Sequence, residues 1–375
     1  VLKTTPGSTQ RLLQLCAGYF LSYVLTGLVV KVFTGGLRTP RMGELTYLFN
    51  NTLGGSLLCL GVVLALRWYR LQSIRTVAWR GLRIPSETFY IVPSGVCTAI
   101  VIPTTTLMYT LPISIMVAMV IMRGSIVVIS RLVDEVQIHQ GLLRKRVYAE
   151  ENWAAVFALL ALGSNVLLIP VARALASAGL PGAAPLAANA GGAFDFLHSR
   201  AAMSILSLYV VAYAIRIYLM NYFKNTRAGG VKLDNQGFFA IEQIAASVAM
   251  VAIGGTVVVA ARLGWSEPRV LEFASAVGRP DPLAILSGIP YGLVAFFSVF
   301  IFMFEGRTAT FVGLVNRLTS LLAGTVSTLL LAAWFRLAPP RPHEWVSLGF
   351  MMVAVWFLGR AERRRVSERA AAHAG

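Results

Sequence analysis

Runs of about 20 apolar residues recur along this 375-residue chain, and nothing else in it constrains the fold as strongly. A run of that length crosses the ~30 Å hydrocarbon core as a helix. Only a helix or a closed barrel satisfies backbone groups where no water is at hand. The runs cover 12–34, 45–66, 88–110, 113–133, 152–172, 201–222, 237–261, 282–304, 308–335 and 344–359. They predict an all-α polytopic membrane protein with ten transmembrane helices. Composition points the same way: 57% of residues are hydrophobic and 13% charged, against about 25% charged in soluble domains. Leu111-Pro112 alone separates the third and fourth runs, and Glu305-Gly306-Arg307 the eighth and ninth, so each pair reads as a tight hairpin.

The net charge of +17 is a matter of topology, because most basic residues fall between or after the runs. Placing both termini in the cytoplasm puts 20 basic residues on that side and 10 outside. The remaining three, Arg123, Arg216 and Arg317, lie within runs. That twofold bias sets the expected orientation as N-in and C-in. No soluble domain is left over to bind nucleic acid. Cys16, Cys59 and Cys97 all sit inside apolar runs, without CxxC or Cys/His spacing, so they read as small buried hydrophobes rather than disulfides or metal ligands. No removable signal peptide is legible, and the first run is expected to stay as a permanent helix.

An Ala-, Gly- and Pro-rich stretch at 177–199 reads as a flexible linker between two halves of five runs each. The chain then divides into a first half (1–172), a linker (173–199), a second half (200–360) and a basic cytoplasmic tail (361–375). With both termini inside, five runs per half make the halves inverted repeats, a recurring plan of secondary transporters with the substrate near the midplane. The fourth run contains MRGSIVVIS and the ninth NRLTSLLAG, which aligns Arg123 with Arg317 and Ser125 with Thr319. Each arginine comes about ten residues after its hairpin, hence ~15 Å deep at 1.5 Å per residue. The third run carries Pro93 and Pro103, and the eighth Pro290 with Gly288 and Gly292, residues that interrupt helical hydrogen bonding. The segment 268–278 has Val270, Leu271, Phe273, Ala274 and Val277 at helical spacing, as in an amphipathic helix lying at the outer surface.

An arginine at bilayer depth is costly and faces a polar interior. Arg123 and Arg317 are therefore candidates to hold an anionic group, which the guanidinium fork fits, or to lock helices together. Ser125 and Asn316 are adjacent hydrogen-bonding candidates, and Tyr109 a candidate pocket or gate residue. Asn50 and Asn51 either line a cavity or bond between helices. Glu242 and Arg216 sit at comparable depth from the cytoplasmic face, as an ion pair or as a protonatable coupling site. His139 and 144–146, like the tail at 360–369, read as solvated segments suited to anionic lipid.

The third and fourth runs together, VPSGVCTAIVIPTTTLMYTLPISIMVAMVIMRGSIVVIS, resemble the corresponding pair of the drug/metabolite transporter superfamily. The branch is that of the solute carrier family 35 F-type proteins and the chloroquine-resistance transporter. Cys97, Leu107-Met108-Tyr109, Ser114 and Met122-Arg123-Gly124 are the matching residues. Residues 308–319 (TATFVGLVNRLT in 308–319) are similar to that branch's ninth span, and 268–278 has a counterpart between its seventh and eighth spans. The longer linker and the loose match at Glu242-Gln243 depart from the pattern. The resemblance implies a ten-helix exporter or exchanger of organic metabolites, with no ATP-binding domain and no covalent chemistry.

The expected function is thus a secondary transporter, not an enzyme, working by alternating access without a cofactor. Its partners are a small anionic or zwitterionic substrate and membrane lipid. A lipid flippase, suited to a lipid phosphate, and a non-transporting scaffold are the alternatives. The outer acids Glu44, Asp195, Glu267, Glu272, Asp281 and Glu344 are scattered without DxD or HxxD spacing, against a membrane-embedded enzyme. Abundant Ala, Gly and Arg with few lysines place the chain in a bacterial cytoplasmic membrane.

Overall fold

The computed structural model describes residues 9–71, 73, 76–79, 82–143, 147–179, 195–226, 234–302, 304 and 309–374. The helices are α1 (Thr9–Thr34), α2 (Glu44–Ala65), α3 (Thr88–Thr110), α4 (Ile115–His139), α5 (Ala149–Val166) and α6 (Leu168–Ser177). After the linker come α7 (Arg200–Asn225), α8 (Asn235–Arg262), α9 (Pro268–Gly278) and α10 (Pro282–Leu286). The last three are α11 (Gly288–Phe302), α12 (Ala309–Phe335) and α13 (Pro342–Ala374). Among the described residues, nine helices are long and apolar enough to cross a membrane. The remaining run, 152–172, is shared between α5 and α6.

Two of the runs break where a proline withholds an amide. Pro170 cannot bond the carbonyl of Val166, four residues back, and α5 ends at Val166. Pro290 cannot bond the carbonyl of Leu286, and α10 ends at Leu286. At the second break the backbone finds other partners. Ser287 Oγ donates to the Ala284 carbonyl at 2.6 Å, and Asn51 Nδ2 donates to the Ser287 carbonyl at 3.1 Å. By contrast α3 runs unbroken through Pro93 and Pro103. Hydroxyls crowd its grooves instead: Thr104 and Thr105 bond the carbonyls of Ile100 and Val101, and Tyr291 OH donates to that of Ile102 at 3.2 Å.

Helix starts follow the sequence. Ser114 caps α4 by accepting from Val117 N, and Ser199 caps α7 from Ala202 N. Glu267 and Asp281 cap α9 and α10, each followed by a proline in the first turn, where its missing amide costs nothing. The 268–278 segment is indeed a helix, docked on α2 and α8. Its Glu272 accepts from Leu45 N and Thr46 N, at 2.9 and 3.1 Å, thereby closing the start of α2.

Three features lie outside the sequence reading. The connector between α2 and α3 holds an antiparallel hairpin, β1 (Thr76–Trp79) with β2 (Leu82–Pro85). The stretch 360–369 is no separate tail, because α13 continues through it to Ala374. At the linker's far end Phe196 is buried, while 180–194 lies outside the described residues, as do the Glu305-Gly306-Arg307 hairpin and 144–146.

Burial ranks the helices. The apolar core of α4 is 78% buried, that of α8 only 11%. So α4 is the central post and α8 turns most of its surface to the surrounding lipid. The two halves interleave around α4: α3 packs on α7 and α8, α11 on α1 and α2, α4 on α7 and α12, and α12 on α1. Where α2 meets α10 and α11 the backbones nearly touch, and a methyl group on Gly54 or Gly288 would strike the other helix's main chain.

Candidate functional site

Arg123, near the middle of α4, is buried and points at α1. Its Nη2 donates to the Tyr23 hydroxyl and, at 3.5 Å, to that of Tyr19. The guanidinium carbon lies 5.3 Å from the Tyr23 ring centre. Tyr19 OH in turn donates to Asn316 Oδ1 at 3.0 Å, and Asn316 Nδ2 to Ser298 Oγ at 3.2 Å. One network therefore joins Arg123 on α4 to α1, α12 and α11. A 70 Å³ cavity opens beside it, walled by Tyr23, Tyr209, Tyr213 and Tyr291 and by Thr98 and Gln243.

A second cavity of about 160 Å³ adjoins the first and shares Tyr213, Arg216, Ser298 and Val299 with it. Arg317 lies on its wall and donates from Nη2 to Ser130 Oγ at 2.7 Å. Ser130 is two turns beyond Arg123 on α4. Arg123 and the hydroxyl that Arg317 meets thus stand two turns apart on α4. Arg131, Asp134, Glu151, Asn221 and Lys224 line this second cavity toward the end of α4. A third cavity of about 410 Å³, among Lys31, Arg41, Asn165, Arg341 and Glu344 at the opposite end of the bundle, shares no lining residue with these two.

Arg216 sits on the shared wall and is fully engaged. Its Nε and Nη2 donate to the two carboxylate oxygens of Glu242, both at 2.9 Å. Ser94 and Thr98 also donate to Glu242 Oε1, at 2.6 and 3.1 Å, and the carboxylate is wholly enclosed. Arg123 and Arg317 differ. Among the described residues neither has a carboxylate within salt-bridge distance, and the Nε of each is buried without a partner. Asp134, one turn beyond Ser130, makes no bridge to Arg317. Neither arginine is tied into a salt bridge, although Asp134 and Glu151 lie on the wall of the Arg317 cavity.

The other sequence candidates fall elsewhere. Ser125 turns its hydroxyl back to the Ile121 carbonyl, and Tyr109 donates to Met119 Sδ; neither lines the two adjoining cavities. Asn50 and Asn51 are buried against α10, where Asn50 Oδ1 accepts from Asp281 N and Asn51 serves the Ser287 break. Sequence reasoning passed over the tyrosines. Tyr19 and Tyr23 in α1, and Tyr209 and Tyr213 in α7, repeat one Y-x-x-x-Y spacing in the first helix of each half. Rings four residues apart share a helix face, and mid-span tyrosine hydroxyls need partners. It also passed over a buried cluster at the mouth, where Arg365 of α13 pairs with Glu151 of α5 and, at 2.9 Å, with Glu362. Among the described residues no group of three or more His, Cys, Asp or Glu side chains is placed to hold a metal.

No protein-family model matches the chain, and no curated protein matches it. Three solved chains match in fold search. One, described only as "Crystal structure of protein", is 15% identical with a TM-score of 0.47, over 95% of this chain and 99% of its own. At that similarity it bears on neither fold family nor function.

Proposed function

We propose that the chain is a secondary transporter of small organic anions or zwitterions, working by alternating access between two inverted five-helix halves. The observation that carries this reading is a pair of adjoining cavities in the bundle interior, with Arg123 on the wall of one, Arg317 on the wall of the other, and no salt bridge to either. A buried guanidinium without a counter-charge is expensive in a bilayer, and a site for an anionic solute gives it a purpose. The third cavity, sharing no wall with this pair, supports access from one side at a time.

The packing supports the repeat. Exchanging the halves exchanges α1 with α7, α2 with α8, α3 with α10–α11 and α4 with α12. Under that exchange the contacts of α3 with α7 and α8 become those of α11 with α1 and α2, and α4 on α7 becomes α12 on α1. The duplicated tyrosine pair obeys the same rule. With N-in and C-in orientation, α5–α6 supplies the tenth span and the pair of cavities opens to the cytoplasm, in a bacterial cytoplasmic membrane. Substrate passes without covalent chemistry.

The test is thermal unfolding of the purified protein across a panel of anionic and zwitterionic metabolites. A ligand held only by the folded state, at a hundredfold excess over Kd, stabilises by ~2.7 kcal/mol. We expect at least one such solute, with the shift lost in Arg123→Gln, and uptake of that solute by reconstituted vesicles. A panel without any stabilising solute, together with vesicles that take up none, sinks the proposal.

A further inference from the structure

Building on the transport reading, we infer that the substrate carries two anionic groups, one held by Arg123 and the other by Arg317. The two arginines are anchored at different places along α4. Ser130, which fixes the Arg317 guanidinium, is seven residues beyond Arg123, and each residue rises ~1.5 Å.

The protein contains its own template for how such a group binds. Glu242 meets Arg216 side-on, one oxygen on Nε and the other on Nη2, both at 2.9 Å. That edge is the one a carboxylate or phosphate engages bidentately. Arg123 and Arg317 each spend Nη2 on a hydroxyl and leave Nε buried and unpartnered. On each of them a neutral hydroxyl holds that edge where Arg216 has a carboxylate, so an anion entering either cavity would take the hydroxyl's place. Arg216 lies between them on the shared wall, but Glu242 already neutralises it. Arg131, Lys224, Asp134 and Glu151, which also line the outer cavity, cancel in number, so Arg123 and Arg317 stay in excess and a doubly anionic ligand balances both.

Shape agrees with charge. The inner cavity of 70 Å³ has room for one small head group among tyrosine hydroxyls, and the outer one of 160 Å³ for a second group and part of a spacer. Tyr213, Ser298 and Val299 flank the junction, suiting a spacer that is apolar or carries a hydroxyl. Both carboxylate and phosphate head groups share the required chemistry.

The experiment titrates the full-length purified protein with a length series of linear α,ω-dicarboxylates and α,ω-bisphosphates. Each is paired with its singly headed counterpart. At the matching length the two-headed probe is expected to bind roughly 10- to 100-fold more tightly, the worth of one charge-assisted contact. Arg317→Gln gives up one hydrogen bond and no ion pair, so it folds. It is expected to bring the two-headed probe down to the affinity that its one-headed partner shows in the same variant. Equal binding of one- and two-headed probes in the native protein overturns the inference but spares the transport reading. So does a two-headed advantage that survives Arg317→Gln. Binding by no anion of either kind overturns both the inference and the anionic-substrate reading beneath it.

Discussion

Arg216 and Arg317 line the same cavity, yet the protein treats them differently. Arg216 is tied to Glu242 through two hydrogen bonds, and Glu242 is held by Ser94 and Thr98 as well. Four donors converge on one enclosed carboxylate. Arg317 has a single hydroxyl partner, and its Nε faces none. The first arrangement is closed, with every charge answered from within the chain. The second is open. A membrane interior penalises unanswered charge, and the proposed anionic substrate is what would answer it at Arg317.

The largest effect is expected from opening the closed pair. Glu242→Ala leaves Arg216 charged in a dry wall, and removing one partner of a buried ion pair costs about 3–5 kcal/mol. Unfolding in mixed detergent would read the loss. A loss below ~1 kcal/mol would mean that water reaches Arg216 freely and that the two arginines are alike after all. Next comes Tyr23→Phe, which strips Arg123 of its nearest hydroxyl. Hydrogen bonds between membrane helices average about 0.6 kcal/mol and reach ~1.7. The upper end is expected here, because the donor is a buried guanidinium. Ser130→Ala, on the wall of the Arg317 cavity, is expected near the average. A cost at Ser130 as large as that at Glu242 would make Arg317 a structural lock and erase the contrast.

Much of the scaffold behind this contrast can be read from residue order. Apolar runs mark the helices, and Pro170 and Pro290 mark the carbonyls at which two of them break. Glu267-Pro268 and Asp281-Pro282 announce helix starts. Single charges in apolar runs, such as Arg123, Arg216, Glu242 and Arg317, stand out because burial makes each one consequential. What order alone conceals is which face each side chain turns to. Asn50 and Asn51 look like cavity polar groups, and instead they serve the backbone of α10 across a glycine seam. Tyr109 and Ser125 lie near Arg123 in sequence but turn toward other neighbours. The tyrosine quartet was hidden for the opposite reason: a tyrosine in an apolar run passes for packing until a guanidinium is found beside its hydroxyl. Arg365 was hidden by composition, since a basic stretch after the last span reads as solvated unless Glu151 and Glu362 are known to enclose it.

The smallest effect belongs to a charge pair that lies outside the membrane spans, and it calibrates the others. Arg38 donates to Asp281 at 3.1 Å, with both side chains partly exposed, and Asp281 also caps α10. The Ala284 backbone amide, which Asp281 accepts from, and the Arg38 guanidinium hold its carboxyl below the ordinary value of 3.8. A depressed carboxylate stabilises the fold above its unfolded pKa, and that contribution is lost as pH falls through the folded one. The loss should therefore appear only below about pH 3.8 and be absent at neutral pH. Asp281→Asn keeps a capping oxygen while discarding the charge, so at pH 7 it should cost no more than a few tenths of a kcal/mol, and less in high salt. Unfolding midpoints followed down through that pH window, for the native chain and the Asn variant, would check it. If the variant lost as much stability as Glu242→Ala, the exposed pair would rank with the buried one, and burial would no longer explain why Arg216 needs its partner.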